Sequence, residues 1–191
     1  MATQITATNP NAMREQIKKQ LDALQRKKRR RRKIFVLLLA AVIVWLVMTY
    51  VVGLVFVSGN SMYPTLSDGD LALILRLYKT PQAGDIVFFR PGEGEAPVFK
   101  RVIATGGQTV DINFRRGTVL VDGEQLDEPY ISTGTKQKYD VEFPLEVPPG
   151  QMFVLGDNRE ISLDSRHSSV GMPDDSALMG KVIFLFRMGV K

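Results

Sequence analysis

The sequence predicts a mainly β domain preceded by one transmembrane helix, and three observations predict it. Residues 34–57 form 24 consecutive uncharged residues directly behind eight consecutive cations. Residues 58–191 break into short apolar or alternating runs separated by Gly, Pro and Asp, the pattern of a small β domain. The totals fit both: of 191 residues, 45% are hydrophobic and 24% charged, which excludes global disorder and allows one domain plus an appendage.

The first element is a basic arm, residues 1–33. It is polar, with a short helix expected over 13–24, and it ends in Arg26-Lys27-Lys28-Arg29-Arg30-Arg31-Arg32-Lys33. The net charge of +5 conceals an asymmetry, because residues 1–57 carry 11 Lys/Arg against 2 Asp/Glu and residues 58–191 carry 14 against 18. The basic balance therefore belongs to the arm, and the mildly acidic remainder argues against a nucleic-acid partner.

The second element, residues 34–57, would reach ~36 Å as a helix, enough for a hydrocarbon layer of ~30 Å. It is too long for the apolar core of a cleavable signal peptide and shows no polar face such as a soluble core helix would have. A membrane span follows, with the cations held on the cytoplasmic side and in contact with anionic lipid head groups. Residues 58–191 then lie on the outer side of a cell membrane crossed once. The apolar run 182–186 is too short to be a second span and reads as a strand.

In the outer domain, strands are expected over 71–75, 86–89, 98–103, 118–121, 152–155 and 182–186. Asp122-Gly123 between two apolar arms is a two-residue hairpin signal. Residues 129–150, with four prolines, read as a flap or an insertion on the main sheet.

With no cysteine and a single histidine, His167, neither a thiolate nucleophile nor a cysteine–zinc site is available. A His-assisted serine would need His167, and a Ser-Lys pair remains possible; the pair needs a serine on a tight turn and a lysine kept neutral by burial. Ser58-Gly59-Asn60-Ser61-Met62-Tyr63-Pro64-Thr65-Leu66 offers the first, since Gly59 and Asn60 tolerate unusual backbone angles. Lys100 offers the second, because in an extended chain it shares a face with Val98 and Val102. A third polar stretch, Gly156 to Arg166, alternates Ser162, Asp164 and Arg166 on one face. Taken alone, each is more simply read as a linker leaving the bilayer, a lysine reaching to water and a solvated loop.

Together and in this order they resemble the conserved boxes of type I signal peptidases: S-G-N-S-M-Y-P-T-L at 58–66, F-K-R-V-I-A at 99–104 and G-D-N-R-E-x-S-L-D-S-R at 156–166, with a weaker G-D-I-V-F-F at 84–89. The resemblance spans roughly residues 26–191. It implies a β-rich catalytic core shared with LexA-type self-cleaving repressors, and removal of signal peptides from secretory preproteins by a Ser-Lys dyad without metal or cofactor. Ser61 would be the nucleophile, its backbone N–H helping to hold the oxyanion, and Lys100 the general base. Ser162 would hydrogen-bond near the lysine amine, Asp164 and Arg166 would form a supporting ion pair, and Arg101 would pair with Asp157. Met62, Val57, Leu66 and Phe99 would line shallow pockets for small residues.

Two positions depart from the family pattern. Gly59 stands where some members carry a serine that helps the oxyanion hole, which leaves the second donor open. Ser168-Ser169 replace an aromatic residue and glycine. Alternatives are a Ser-Lys enzyme dedicated to other membrane substrates and a tethered binding protein. A LexA-type regulator is disfavoured, because the arm leaves no place for a DNA-binding domain.

Overall fold

A computed structural model describes residues 10–78 and 80–188; residues 1–9 of the arm, Lys79 and the last three residues of the outer domain lie outside the described residues. The chain divides into two units, one ending at Val47 and one beginning at Met48.

Among the described residues the first unit contains one helix, α1, Pro10–Leu46. The sequence suggested a short helix at 13–24 and a separate span from residue 34. Instead the helix runs unbroken through the basic block. Nothing between Asn11 and Leu46 is Gly or Pro, and Lys, Arg, Gln, Leu and Ala are all good helix formers. Pro10 sits at the first helical position, where its missing N–H costs nothing.

A π-helical turn over Val47–Val51 follows. Among its described residues the second unit then carries ten strands: β1 Val52–Phe56, β2 Leu71–Leu75, β3 Ile86–Phe89, β4 Val98–Thr105, β5 Thr109–Asn113, β6 Thr118–Val121, β7 Glu124–Gln125, β8 Leu145–Glu146, β9 Met152–Leu155 and β10 Leu178–Phe186. The uncharged run 34–57 is therefore not helical to its end. Residues 52–56 pair antiparallel with β2, Val52 opposite Leu75 and Phe56 opposite Leu71. Absence of charge is common to a span and a half-buried strand, whereas Val52-Gly53-Leu54-Val55-Phe56 is rich in strand formers and contains a helix-weakening glycine. The uncharged helical residues 34–51 still reach ~27 Å.

The ten strands form two antiparallel sheets, β1-β2-β10-β3-β4-β9 and β7-β6-β5-β8. The smaller sheet is an insertion between the paired strands β4 and β9. Its β6–β7 hairpin turns on Asp122 and Gly123, with φ of 53° and 83°, as a two-residue turn with both centres left-handed requires. Residues 129–150 are the later half of this insertion. They are anchored by β8 on β5 and by the buried Thr135 and Val147. Ile103, Phe153 and Leu155 of the large sheet pack with Val110, Ile112 and Val119 of the small one. A second core gathers Val57, Met62, Leu66, Phe88 and Phe99 beneath the segment that follows β1. β4 is buried along nearly its whole length, which takes Lys100 and Arg101 out of water together.

Candidate active site

Ser61 lies in the turn between β1 and β2. Gly59 holds φ +82°, a conformation that glycine adopts without strain. The Tyr63 N–H donates to the Asn60 carbonyl at 3.1 Å, and the Asn158 N–H donates to the Ser61 carbonyl at 3.0 Å. The Ser61 N–H itself has no hydrogen-bond partner among the described residues.

Lys100, at the middle of β4, is 3% exposed, and its Nζ is 2.9 Å from Ser61 Oγ. Burial pulls its pKa down to about 8, because the ammonium loses hydration that the neutral amine does not need. Asp164 opposes that shift, Arg166 adds to it, and Asp157 opposes it again. A lysine so placed holds a large neutral fraction near pH 8 and can take a proton from the hydroxyl it touches.

Both expected ion pairs form. Asp164 and Arg166 are fully buried and joined twice, Nε to Oδ1 at 2.8 Å and Nη2 to Oδ2 at 2.9 Å. Asp164 Oδ2 also accepts the Gly156 N–H, and the Arg166 guanidinium donates to the carbonyls of Gln137, Arg159 and Ser162. Arg101 meets Asp157 in the same forked way, at 2.8 and 2.7 Å. Asp157 in turn accepts from the Thr65 hydroxyl, which ties the third box to the Ser61 segment. Forked charge-assisted pairs satisfy both partners geometrically, and that is what makes burying four charges here tolerable.

Ser162 differs from expectation. It is fully buried, but its Oγ has no hydrogen-bond partner among the described residues. The Lys100 amine is engaged with Ser61, and the Ser162 hydroxyl is packed against Gly156. A Cβ on that glycine would stand 2.1 Å from Ser162 Oγ and 2.5 Å from the Ser61 carbonyl oxygen.

Beside Ser61 opens a shallow cavity of about 130 Å³, lined by Val57, Met62, Phe88, Val98 and Phe99 among others. Three of the four expected lining residues are there. Leu66 is not; it is 1% exposed and belongs to the core beneath. A place in a family motif cannot separate a residue lining a cavity from one packed a layer deeper.

Several contributors escaped the sequence reading. Arg159 is fully buried and forks onto Glu128, with further bonds to Thr135 and the Gly156 carbonyl. Tyr130 lies under Arg101, its ring centroid 3.9 Å from the guanidinium carbon. The Tyr139 hydroxyl donates to the Ser162 carbonyl. Glu128, Tyr130, Thr135 and Tyr139 all come from the insertion, and no spacing rule links them to the boxes they hold. His167 contacts the Tyr139 ring, and its Nδ1 accepts the Ser169 N–H.

Residues 30–187 match the family model described as signal peptidase, peptidase S26. Signal peptidase IB of Staphylococcus aureus is 36% identical over 163 residues, which cover 76% of this chain and 83% of that protein. Signal peptidase I of Bacillus amyloliquefaciens is 33% identical over 140 residues, 68% of this chain and 71% of that protein. Among solved structures, a signal peptidase I from Enterococcus faecalis V583 is 31% identical with a TM-score of 0.45, covering 55% of this chain and 97% of that one.

Proposed function

The chain belongs to the signal peptidase family, peptidase S26, and from that membership we propose that it is a membrane-bound serine endopeptidase removing N-terminal signal peptides from secreted preproteins by a Ser61–Lys100 dyad. The observation that carries the dyad is the 2.9 Å contact between Ser61 Oγ and a lysine amine shut away from water.

In this mechanism neutral Lys100 takes the Ser61 proton as Oγ attacks the carbonyl carbon of the scissile bond. The oxyanion forms beside the unpartnered Ser61 N–H, a donor already in position before charge develops. Lys100 passes its proton to the leaving amine, the carbon–nitrogen bond breaks, and the mature protein departs. The signal peptide stays esterified to Ser61. Water then gives a proton to the same amine, attacks the ester and releases the signal peptide as a carboxylic acid, with the proton returned to Ser61. The cavity beside Ser61 admits small side chains and excludes large ones by overlap, which suits small residues before the cleavage site.

The segment Lys18–Val51 is long and apolar enough to cross a bilayer, with a window of mean hydropathy 2.8. The basic block on its N-terminal side assigns the arm to the cytoplasm and the strand-rich unit to the opposite face. Lipid bilayer and secretory preproteins are then the partners.

The test is cleavage by the purified full-length protein in detergent of a preprotein and of a peptide with Ala-x-Ala before the scissile bond. Wild type should cut after the second alanine, and Ser61→Ala and Lys100→Met should not. Cleavage by Lys100→Met at the wild-type rate would overturn the dyad. Absence of wild-type turnover, with Ser61→Ala binding the peptide equally well, would point to a tethered binding protein.

A further inference from the structure

Resting on the reading of Ser61 as nucleophile, we propose that Asp68 is a positioning residue that fixes the Gly59 peptide and so sets the direction of the Ser61 amide and hydroxyl. The resemblance assigns Asp68 no role. Its surroundings show that the nucleophile's turn is held from two sides by different means. On its C-terminal side the Asn60 carbonyl accepts from the Tyr63 N–H and from Asn158 Nδ2, and the Ser61 carbonyl accepts from the Asn158 N–H. On its N-terminal side the hold comes from the returning segment 67–70. The Val57 N–H donates to the Asp70 carbonyl at 2.8 Å, and the Gly69 N–H to the Val57 carbonyl at 2.9 Å.

These backbone bonds stop at Val57. Among the described residues, the only further hold between Val57 and Ser61 is reciprocal. The Gly59 N–H donates to Asp68 Oδ1 at 2.7 Å, and the Asp68 N–H donates to Asn60 Oδ1 at 3.3 Å. Gly59 has φ +82°, and a Cβ there would meet nothing within 4 Å. Its conformation is therefore not set by packing. An exposed peptide built on the least restricted residue needs a bond to hold it, and Asp68 supplies one. The neighbouring carboxylate does different work: Asp70, 5% exposed, accepts the N–H groups of Ser67 and Met188 and organises its own loop.

The bond also bears on the second oxyanion donor. The serine that some members carry at this position acts through its hydroxyl, which Gly59 lacks, and the Gly59 N–H is itself taken by Asp68 Oδ1. The Ser61 N–H, two residues on, is left open.

The bond is at the surface, so removing it leaves the cores intact and reads on the turn. Misplacing a reacting group by about 1 Å costs on the order of a hundredfold in rate. Asp68→Ala should therefore lower kcat on the Ala-x-Ala peptide tenfold or more with KM within about threefold. Asp68→Asn keeps an acceptor oxygen and should stay within about threefold of wild type in both. In parallel, amide hydrogen exchange of the full-length protein should speed up across residues 57–62 in Asp68→Ala and not in Asp68→Asn. Wild-type kcat in Asp68→Ala, unchanged exchange there, or equal loss in both variants with lowered melting temperatures would each overturn the proposal. Should wild type fail to cleave, the proposed function falls, and the exchange comparison alone still decides whether Asp68 holds the turn.

Discussion

In the proposed mechanism Lys100 links stability and activity through one proton. Its amine is held at about 8 against an ordinary 10.5, so between those values the unfolded chain binds a proton that the folded chain does not. Stability therefore rises with pH through that window and falls to a constant lower level below pH 8. Lys100→Met, which keeps an apolar side chain of similar length, should abolish cleavage yet raise stability at pH 7 by about 1–3 kcal/mol. Denaturant unfolding should show that gain shrinking towards zero as pH approaches 10.5. A variant less stable than wild type at pH 7 would mean that the amine is not desolvated as described. In the proposed mechanism the same titration sets the rate. With the pKa at about 8, about a tenth of the amine is neutral at pH 7, so kcat/KM should climb along a single limb and level off above pH 8. A rate flat between pH 6 and 9 would exclude Lys100 as the base. At Gly156 the constraint is space: a methyl group would intrude on both Ser162 and the Ser61 carbonyl. Gly156→Ala should lower kcat by about a hundredfold or more, and a near-normal rate would show that the third box can retreat without moving Ser61.

At the scale of elements, what the sequence reveals depends on whether the cause is local. The strands carrying Lys100 and the third box's approach were legible, because alternation and apolar runs act over a few residues. So was the hairpin at Asp122-Gly123, whose turn demands those residue types. The end of the helix was not legible. Val52–Phe56 carries no charge whichever structure it adopts, and what makes it a strand is β2, some twenty residues further on. The insertion's grip on the site was equally hidden, since Glu128 reaches Arg159 across 31 residues and Tyr130 reaches Arg101 across 29. The assignment of β1 is testable. A chain beginning at Met48 should fold cooperatively. One beginning at Ser58, the boundary the uncharged run suggests, leaves β2 as a bare edge and takes Val57 out of the core it shares with Met62 and Phe99. It should aggregate, or unfold at a clearly lower temperature. Equal melting temperatures would show that β1 contributes nothing to the sheet.

At the scale of the whole molecule, the proposed anchor and the proposed dyad address different halves of one problem. Signal peptides are apolar and partition into bilayers, so a catalytic unit tethered to the same bilayer meets its substrate in a thin layer and not in bulk solution. Tethering of this kind raises effective concentration without any new contact. It should therefore matter for a substrate in the membrane and not for one in water. The full-length protein and the chain beginning at Met48 should cleave a soluble Ala-x-Ala peptide with kcat/KM within about threefold of each other, because Ser61, Lys100, both ion pairs and the cavity all lie in the second unit. On a preprotein reconstituted in vesicles, the full-length protein should be faster by about tenfold or more at equal enzyme concentration. Equal loss on both substrates would instead mean that α1 is needed for the fold of the catalytic unit. Equal rates on both would mean that the strand-rich unit finds the bilayer unaided, through exposed apolar side chains such as Leu54, Phe56 and Phe184.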